Sequence, residues 1–82
     1  MDTVGKRIRY LRTSKKLSMA DLGEVIGTDS GNISNWENDK RMPGGRFIIA
    51  LSRYFNVSTD WILFGEKPSL SKDNMISTDA LE

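Results

Sequence analysis

The chain has 82 residues, of which 38% are hydrophobic and 28% charged, and it contains neither Cys nor His. This length suits about one domain, and the missing residue types exclude disulfides, Cys/His metal sites and His-based catalytic pairs. No apolar run reaches the roughly 18 residues that a membrane span needs. We therefore expect a cytoplasmic protein with no membrane partner, no metal and no other cofactor.

Charge and composition divide the chain at about residue 65. Residues 1–65 contain ten Lys or Arg and seven Asp or Glu, whereas residues 66–82 contain two and four. The second part also lacks sustained periodicity, so we predict one domain over 1–65 and a flexible polar tail or linker over 66–82. The basic excess favours an anionic partner for the domain, although an ordinary mixed surface has a similar composition.

Apolar periodicity and capping residues predict five helices in chain order: near 3–16, from 19 to the Gly at 27, over 30–38, after a loop at 39–45, and over 59–64. The predicted caps and terminators are Asp2 or Thr3, the Ser18 and Asp21 capping box, Gly27, Asp29, Ser58 and Gly65. The predicted inward residues are Val4, Ile8, Leu11, Leu22, Val25, Ile26, Ile33, Trp36, Phe47, Ile48, Leu51, Tyr54 and Phe55. No segment has the alternation of a strand, so the predicted fold class is all-α.

The second and third helices have the spacing of a helix-turn-helix, in which Gly23 permits close approach of the helices and Gly27 makes the turn. Four segments resemble the Cro/CI-type (XRE-type) helix-turn-helix repressors of bacteria and phages: GKRIRYLR at 5–12, LSMADLGEVIG at 17–27, ISNWEN at 33–38 and VSTDWILFGE at 57–66. The resemblance implies a five-helix lambda-repressor-like domain that binds a double-stranded DNA operator as a homodimer.

The same resemblance implies which residues contact DNA. The base-reading positions are Ser30, Gly31, Asn32 and Asn35, and the phosphate or minor-groove positions are Asn38, Lys40, Arg41 and Arg46. Asn35 is the preferred reader, because an Asn amide bonds the N6 and N7 atoms of adenine together. From helical phase alone, Asn32 and Asn35 are equally well explained as solvated polar surface, and Arg46 as an ordinary exposed side chain.

Three positions depart from the family pattern. Met19 stands where a phosphate-binding Gln is usual, and Asp29 replaces a Ser or Thr cap with a charge that DNA phosphates disfavour. Asp39 stands where a Gly usually ends the recognition helix, so we expect local strain at that residue.

Helical phase also places the charged residues Arg12 and Glu37 at inward-facing edges. An unpaired buried charge is costly, and the resemblance implies an ion pair between the first and third helices. We assign this pair a structural role. Trp36 and Trp61 are expected in the core or at an interface, because neither lies on a polar face.

The fifth helix carries four consecutive apolar residues, at positions 61–64, which cannot all face one core. On the fourth helix, Ile49 lies opposite the apolar arc. We therefore predict an interface for a second copy, or for an antirepressor or toxin protein, at Ile49, Trp61, Ile62 and Phe64.

The function that these observations favour is a sequence-specific transcriptional repressor, most simply a phage or prophage regulator that binds near-palindromic operators as a dimer. The alternative is an antitoxin that keeps the same fold, binds a partner toxin and regulates its own promoter. We expect no enzyme, since the sequence offers no nucleophile and base pair and no phosphate-binding glycine loop.

Overall fold

Five α-helices make up residues 3–65, which are the residues that this computed structural model describes. They are α1 (Val4–Ser14), α2 (Met19–Ile26), α3 (Ser30–Glu37), α4 (Gly45–Phe55) and α5 (Thr59–Phe64). No strand occurs within this range, which confirms the predicted all-α class. The predicted tail at 66–82 lies outside the described residues. None of the described helices has both the length and the apolar content to cross a membrane.

The helix ends follow from local sequence. The Ser18 hydroxyl accepts from the backbone N–H of Asp21, and the Asp21 carboxylate accepts from that of Ser18, which completes the predicted capping box. Gly27 ends α2 with φ at 89°, a conformation that costs glycine little. Side-chain caps at the starts of α1, α3 and α5 are formed by Thr3, Asp29 and Ser58, whereas α4 begins after Gly44 without one.

Each helix contributes one fully buried aliphatic side chain to a single core: Ile8, Leu22, Ile33, Leu51 and Ile62. The core is completed by Leu11, Ile26, Trp36, Ile48 and Phe55. Two residues expected to face inward are instead exposed: Val25 at 49% and Tyr54 at 36%. The ring of Tyr54 lies at the edge of the core, where it contacts Phe55 edge-on and carries the Lys15 ammonium 4.7 Å from its centroid.

A buried arginine that the sequence interpretation missed joins the first and last helices. Arg7 is 5% exposed, and its guanidinium donates through Nε to the carbonyl of Ile62 at 2.7 Å and through Nη2 to that of Leu63 at 3.0 Å. The signal was present, since residue 7 falls at i+3 from Val4 and i−4 from Leu11 on the inward stripe of α1. Its main-chain partners 55 and 56 residues away carry no sequence signature.

Candidate nucleic-acid interface

The packing of α2 against α3 fixes the direction in which α3 projects. A Cβ added at Gly23 would lie 2.9 Å from the carbonyl oxygen of Thr28 and 3.0 Å from the backbone of Asp29. Only glycine therefore permits this approach of α2 to the turn. Leu22 and Ile33 are fully buried between the helices, so the opposite, polar face of α3 is directed outward.

The amino end of α3 presents small polar groups to solvent, because Ser30, Gly31 and Asn32 are all exposed. The Asp29 carboxylate accepts from the backbone N–H of Asn32 at 2.9 Å and caps the helix. The Asn32 side chain donates through Nδ2 to the hydroxyl of Thr28 at 2.8 Å. The predicted base-reading residues at this end therefore share one outward surface.

The remaining predicted reader, Asn35, lies one turn further along α3 and is half-buried. Its carbonyl oxygen accepts from the backbone N–H groups of Lys40 at 2.9 Å and Arg41 at 3.3 Å. Within residues 3–65, no hydrogen bond to the Asn35 side chain is present. The main chain of Asn35 thus anchors the basic loop, while its amide stays available for other contacts.

The predicted phosphate-binding residues follow α3 along one chain segment, and Asn38, Lys40, Arg41 and Arg46 are all exposed. Asn38 is partly engaged within the domain, because its amide donates to the Ser34 carbonyl at 2.9 Å and accepts from Arg9 at 3.4 Å. The Arg46 guanidinium lies 5.0 Å from the centroid of the Phe47 ring. Of the three cations among them, Lys40 and Arg41 thus have no side-chain hydrogen bond, ion pair or ring contact within residues 3–65.

Charge is distributed unevenly around this surface. Residues 17–39 contain five acidic residues and no Lys or Arg, so the helix-turn-helix itself is anionic. Glu37 is neutralised by an ion pair, and Asp21, Asp29 and Asp39 accept backbone N–H groups. Electrostatic attraction for a polyanion therefore comes from cations outside residues 17–39, among them those of the basic segment after α3.

The structure contains the ion pair between α1 and α3 that the family resemblance implies. The Glu37 side chain is fully buried, and Arg12 donates to it from Nε at 2.6 Å and from Nη2 at 3.0 Å. Arg9 adds a longer bond of 3.3 Å, and Arg12 also donates to the Leu17 carbonyl at 2.8 Å. The hydrogen bond to Glu37 raises the pKa of the Arg12 guanidinium above its ordinary value, despite the opposing effect of burial.

Asp39 follows α3 and has a left-handed backbone conformation, with φ at 58°. This agrees with the local strain expected at this residue. Its carboxylate accepts from the Thr3 hydroxyl at 2.8 Å and from the backbone N–H of Gly5 at 3.0 Å. These two bonds offset a backbone cost of about 1 kcal/mol. They also tie the first turn of α1 to the end of α3, a role that the sequence interpretation did not assign to Asp39.

Only some of the residues of the predicted apolar interface are exposed at the surface of the domain. Phe64 is 66% exposed and Ile49 is 47% exposed, whereas Trp61 is half-buried beside the ring of Tyr10. Ile62 is fully buried in the core, so its assignment to an interface was wrong. The reason is that four consecutive apolar residues in a helix of six do not indicate which of them face the core. In the structure Ile62 is the one that is fully buried.

Comparison with known proteins places this geometry in a family. A family model described as a helix-turn-helix domain matches residues 5–68. The transcriptional regulator DicA of Escherichia coli K12 is 33% identical over 85 residues, which cover 98% of this chain and 63% of DicA. Repressor protein C2 of Salmonella phage P22 is 36% identical over 72 residues, which cover 88% of this chain and 32% of C2.

A crystal structure of the P22 c2 repressor in complex with a synthetic operator superimposes with a TM-score of 0.76 and 35% identity, covering 80% of this chain and 100% of the repressor chain in that structure. This chain spans less than two thirds of the length of the two curated relatives. The family match nevertheless includes all five helices. The chain belongs to the helix-turn-helix domain family, as its resemblance to Cro/CI-type repressors predicts.

Proposed function

We propose that this chain binds duplex DNA in a sequence-specific manner and represses transcription in the cytoplasm, as a regulator of phage or prophage type. The observation that carries the proposal is the exposed polar amino end of α3, held outward by the close packing of α2 at Gly23. A helix presented in this way fits the major groove, where base edges are distinguishable. The similar P22 repressor is seen with a synthetic operator.

In this proposal the contacts divide between two surfaces. The polar residues of α3 approach base edges, and they are Ser30, Gly31, Asn32 and Asn35. The segment after α3 approaches phosphates, with Lys40 and Arg41 as its principal cations, Arg46 as a further phosphate or minor-groove contact, and Asn38 in a supporting role. Gly31 leaves open space above the helix, since an added Cβ would meet only the Asp29 carboxylate at 3.4 Å.

The charge distribution sets the expected salt dependence. Three exposed cations, Lys40, Arg41 and Arg46, are available near the edge of α3. If a dimer applies both sets to phosphates, binding neutralises about six phosphates and the slope of log affinity against log salt is about −5. Because residues 17–39 lack cations, we expect weak binding to random DNA and a specific preference that depends mostly on α3.

We further propose that two copies meet through exposed apolar side chains near α5, so that two recognition helices address a near-palindromic site. Phe64 and Trp61 supply the apolar contact on α5, and Ile49 supplies it on α4. Exposed apolar groups of this size favour association. A dimer of this kind places half-sites about one helical turn apart, which is ~10 bp.

The test is selection from a library of randomised duplexes, followed by footprinting of the selected sequence and of the promoter region upstream of the gene across a salt series. We expect two protected half-sites whose centres lie ~10 bp apart and whose protection weakens steeply with salt. Lys40→Gln should weaken the protection of all sequences alike, and Arg53→Gln, which removes an exposed cation from α4, is its control. Recovery of no preferred sequence by the wild-type chain would contradict the proposal.

A further inference from the structure

The side chain of Asn32 is hydrogen-bonded within the domain, and its partner is Thr28 in the turn. The Thr28 hydroxyl accepts from Nδ2 of Asn32 at 2.8 Å. Thr28 is itself half-buried, and its backbone N–H donates to the carbonyl of Gly23 at 2.7 Å. The main chain of Asn32 is held as well, because its N–H donates to Asp29.

This arrangement determines which hydrogen-bonding groups remain on Asn32. An Asn amide has two N–H donors and one carbonyl acceptor, and the bond to Thr28 uses one donor. The exposed side chain is left with Oδ1 as an acceptor and with one N–H as a donor. Adenine presents the complementary pair in the major groove, an N6 amino donor beside the N7 acceptor, whereas guanine presents two acceptors there.

Asn35 provides the comparison. Among the described residues its side chain has no hydrogen-bonding partner, so a base would have to immobilise it on binding. Ordering a side chain of this kind at an interface reduces affinity by about 2- to 10-fold. Asn32 avoids most of this loss, since Thr28 already restricts its conformation.

We propose that Thr28 is a positioning residue that aims Asn32 at an adenine, and that Asn32 provides the strongest base preference of α3. The proposal rests on the proposed function, and it goes further by naming the base that Asn32 contacts and the residue that positions Asn32. It also revises the preference for Asn35 that the sequence suggested. Thr28 itself touches no base in this account.

The experiment uses the full chain and the best duplex obtained by selection. Each adenine of a half-site is replaced in turn by purine, which lacks the N6 amino group, and by 7-deazaadenine, which lacks N7. We expect one adenine at which either replacement weakens wild-type binding by about 10-fold. Asn32→Ala should bind all three duplexes with nearly equal affinity, whereas Asn35→Ala should retain the wild-type discrimination at that adenine.

Thr28→Val keeps the shape of the side chain but removes the acceptor, and we expect it to reduce discrimination at that adenine by about 2- to 10-fold. Thr28→Ser restores the hydroxyl and should restore discrimination. Thr13→Val is the matched control, because the Thr13 hydroxyl donates to the Arg9 carbonyl within α1, away from α3. Circular dichroism during heating checks that the variants stay folded, and Thr28→Ala repeats the test if valine disturbs the turn.

The outcomes separate this proposal from the one on which it rests. The role of Asn32 would be overturned if Asn32→Ala kept the wild-type discrimination at every adenine of the selected site. The role of Thr28 would be overturned if Asn32→Ala lost discrimination at one adenine while Thr28→Val and Thr28→Ala kept the wild-type discrimination there. Absence of any selected sequence would overturn the DNA-binding function, and both roles with it.

Discussion

Removal of Arg12 should destabilise the domain strongly, because the Glu37 carboxylate has no access to water. In Arg12→Met, Oε2 of Glu37 loses its donor at 2.6 Å, and Oε1 keeps only the longer bond of 3.3 Å from Arg9. The Leu17 carbonyl also loses a donor. Breaking a buried ion pair on one side costs about 3–5 kcal/mol. The remaining Arg9 bond favours the lower end, about 3 kcal/mol.

The reverse single variant should be milder. Glu37→Leu leaves Arg12 without its carboxylate, but the Arg12 side chain is 14% exposed, so rotation can bring its guanidinium to water. We expect a loss of about 1–2 kcal/mol. The double variant Arg12→Met/Glu37→Leu removes both charges and should lie within about 1 kcal/mol of wild type. The coupling energy between the two positions is then about 3–6 kcal/mol.

Urea unfolding followed by tryptophan fluorescence measures this cycle, because Trp36 is 4% exposed in the folded domain. A domain of about 63 residues has a free energy of unfolding of roughly 3–9 kcal/mol. Arg12→Met is therefore best measured in sucrose, which stabilises all four proteins. Arg53→Met, at an exposed position, controls for the arginine to methionine change. Additivity of the single variants within about 0.5 kcal/mol would refute the reasoning.

Four further variants test other parts of the molecule. Lys40→Gln should weaken binding to all duplexes alike. It should also make the slope of log affinity against log salt shallower by about 1 for each phosphate that the variant no longer neutralises. A change confined to one sequence would indicate that Lys40 reads a base instead. Gly23→Ala should destabilise by about 1–3 kcal/mol, because its Cβ meets the Thr28 carbonyl, and should lower the thermal midpoint by roughly 4–8 °C per kcal/mol in calorimetry. Phe64→Asp should leave the thermal midpoint nearly unchanged and abolish self-association in light scattering, whereas Ile62→Asp should unfold the chain. A dimer that survives Phe64→Asp would move the interface elsewhere.

The helices could be predicted where a short segment contains its own explanation. The capping box at Ser18 and Asp21, the glycine at 27 and the cap at Ser58 each act within a few residues. Such features are independent of the rest of the fold, so the sequence alone locates them. The order of the four family segments then supplied the arrangement of the helices in space.

The features that escaped prediction depend on distant partners. Arg7 lies on the inward stripe of α1, but its acceptors are main-chain carbonyls of α5, which any residue type provides. Asp39 was recognised as a departure from the family pattern, but its bonds to Thr3 and Gly5 were not predicted, because these partners lie 36 and 34 residues away. The bond between Thr28 and Asn32 depends on a side-chain rotamer, which neither residue spacing nor apolar periodicity specifies.

The attachment of α5 has a consequence for how such a protein can change during evolution. Arg7 holds the last turn of α5 by two main-chain carbonyls, and a Cβ at Gly65 would approach its guanidinium to 3.0 Å. A helix of six residues has little stability of its own, so its orientation depends on this joint and on Ile62. The exposed side chain of Phe64 takes no part in it, whereas Trp61 is half-buried and packs against the core. If Phe64 lies at the proposed interface, mutations at this residue change the surface offered to a protein partner and leave unchanged the packing of α2 against α3 that directs α3 outward.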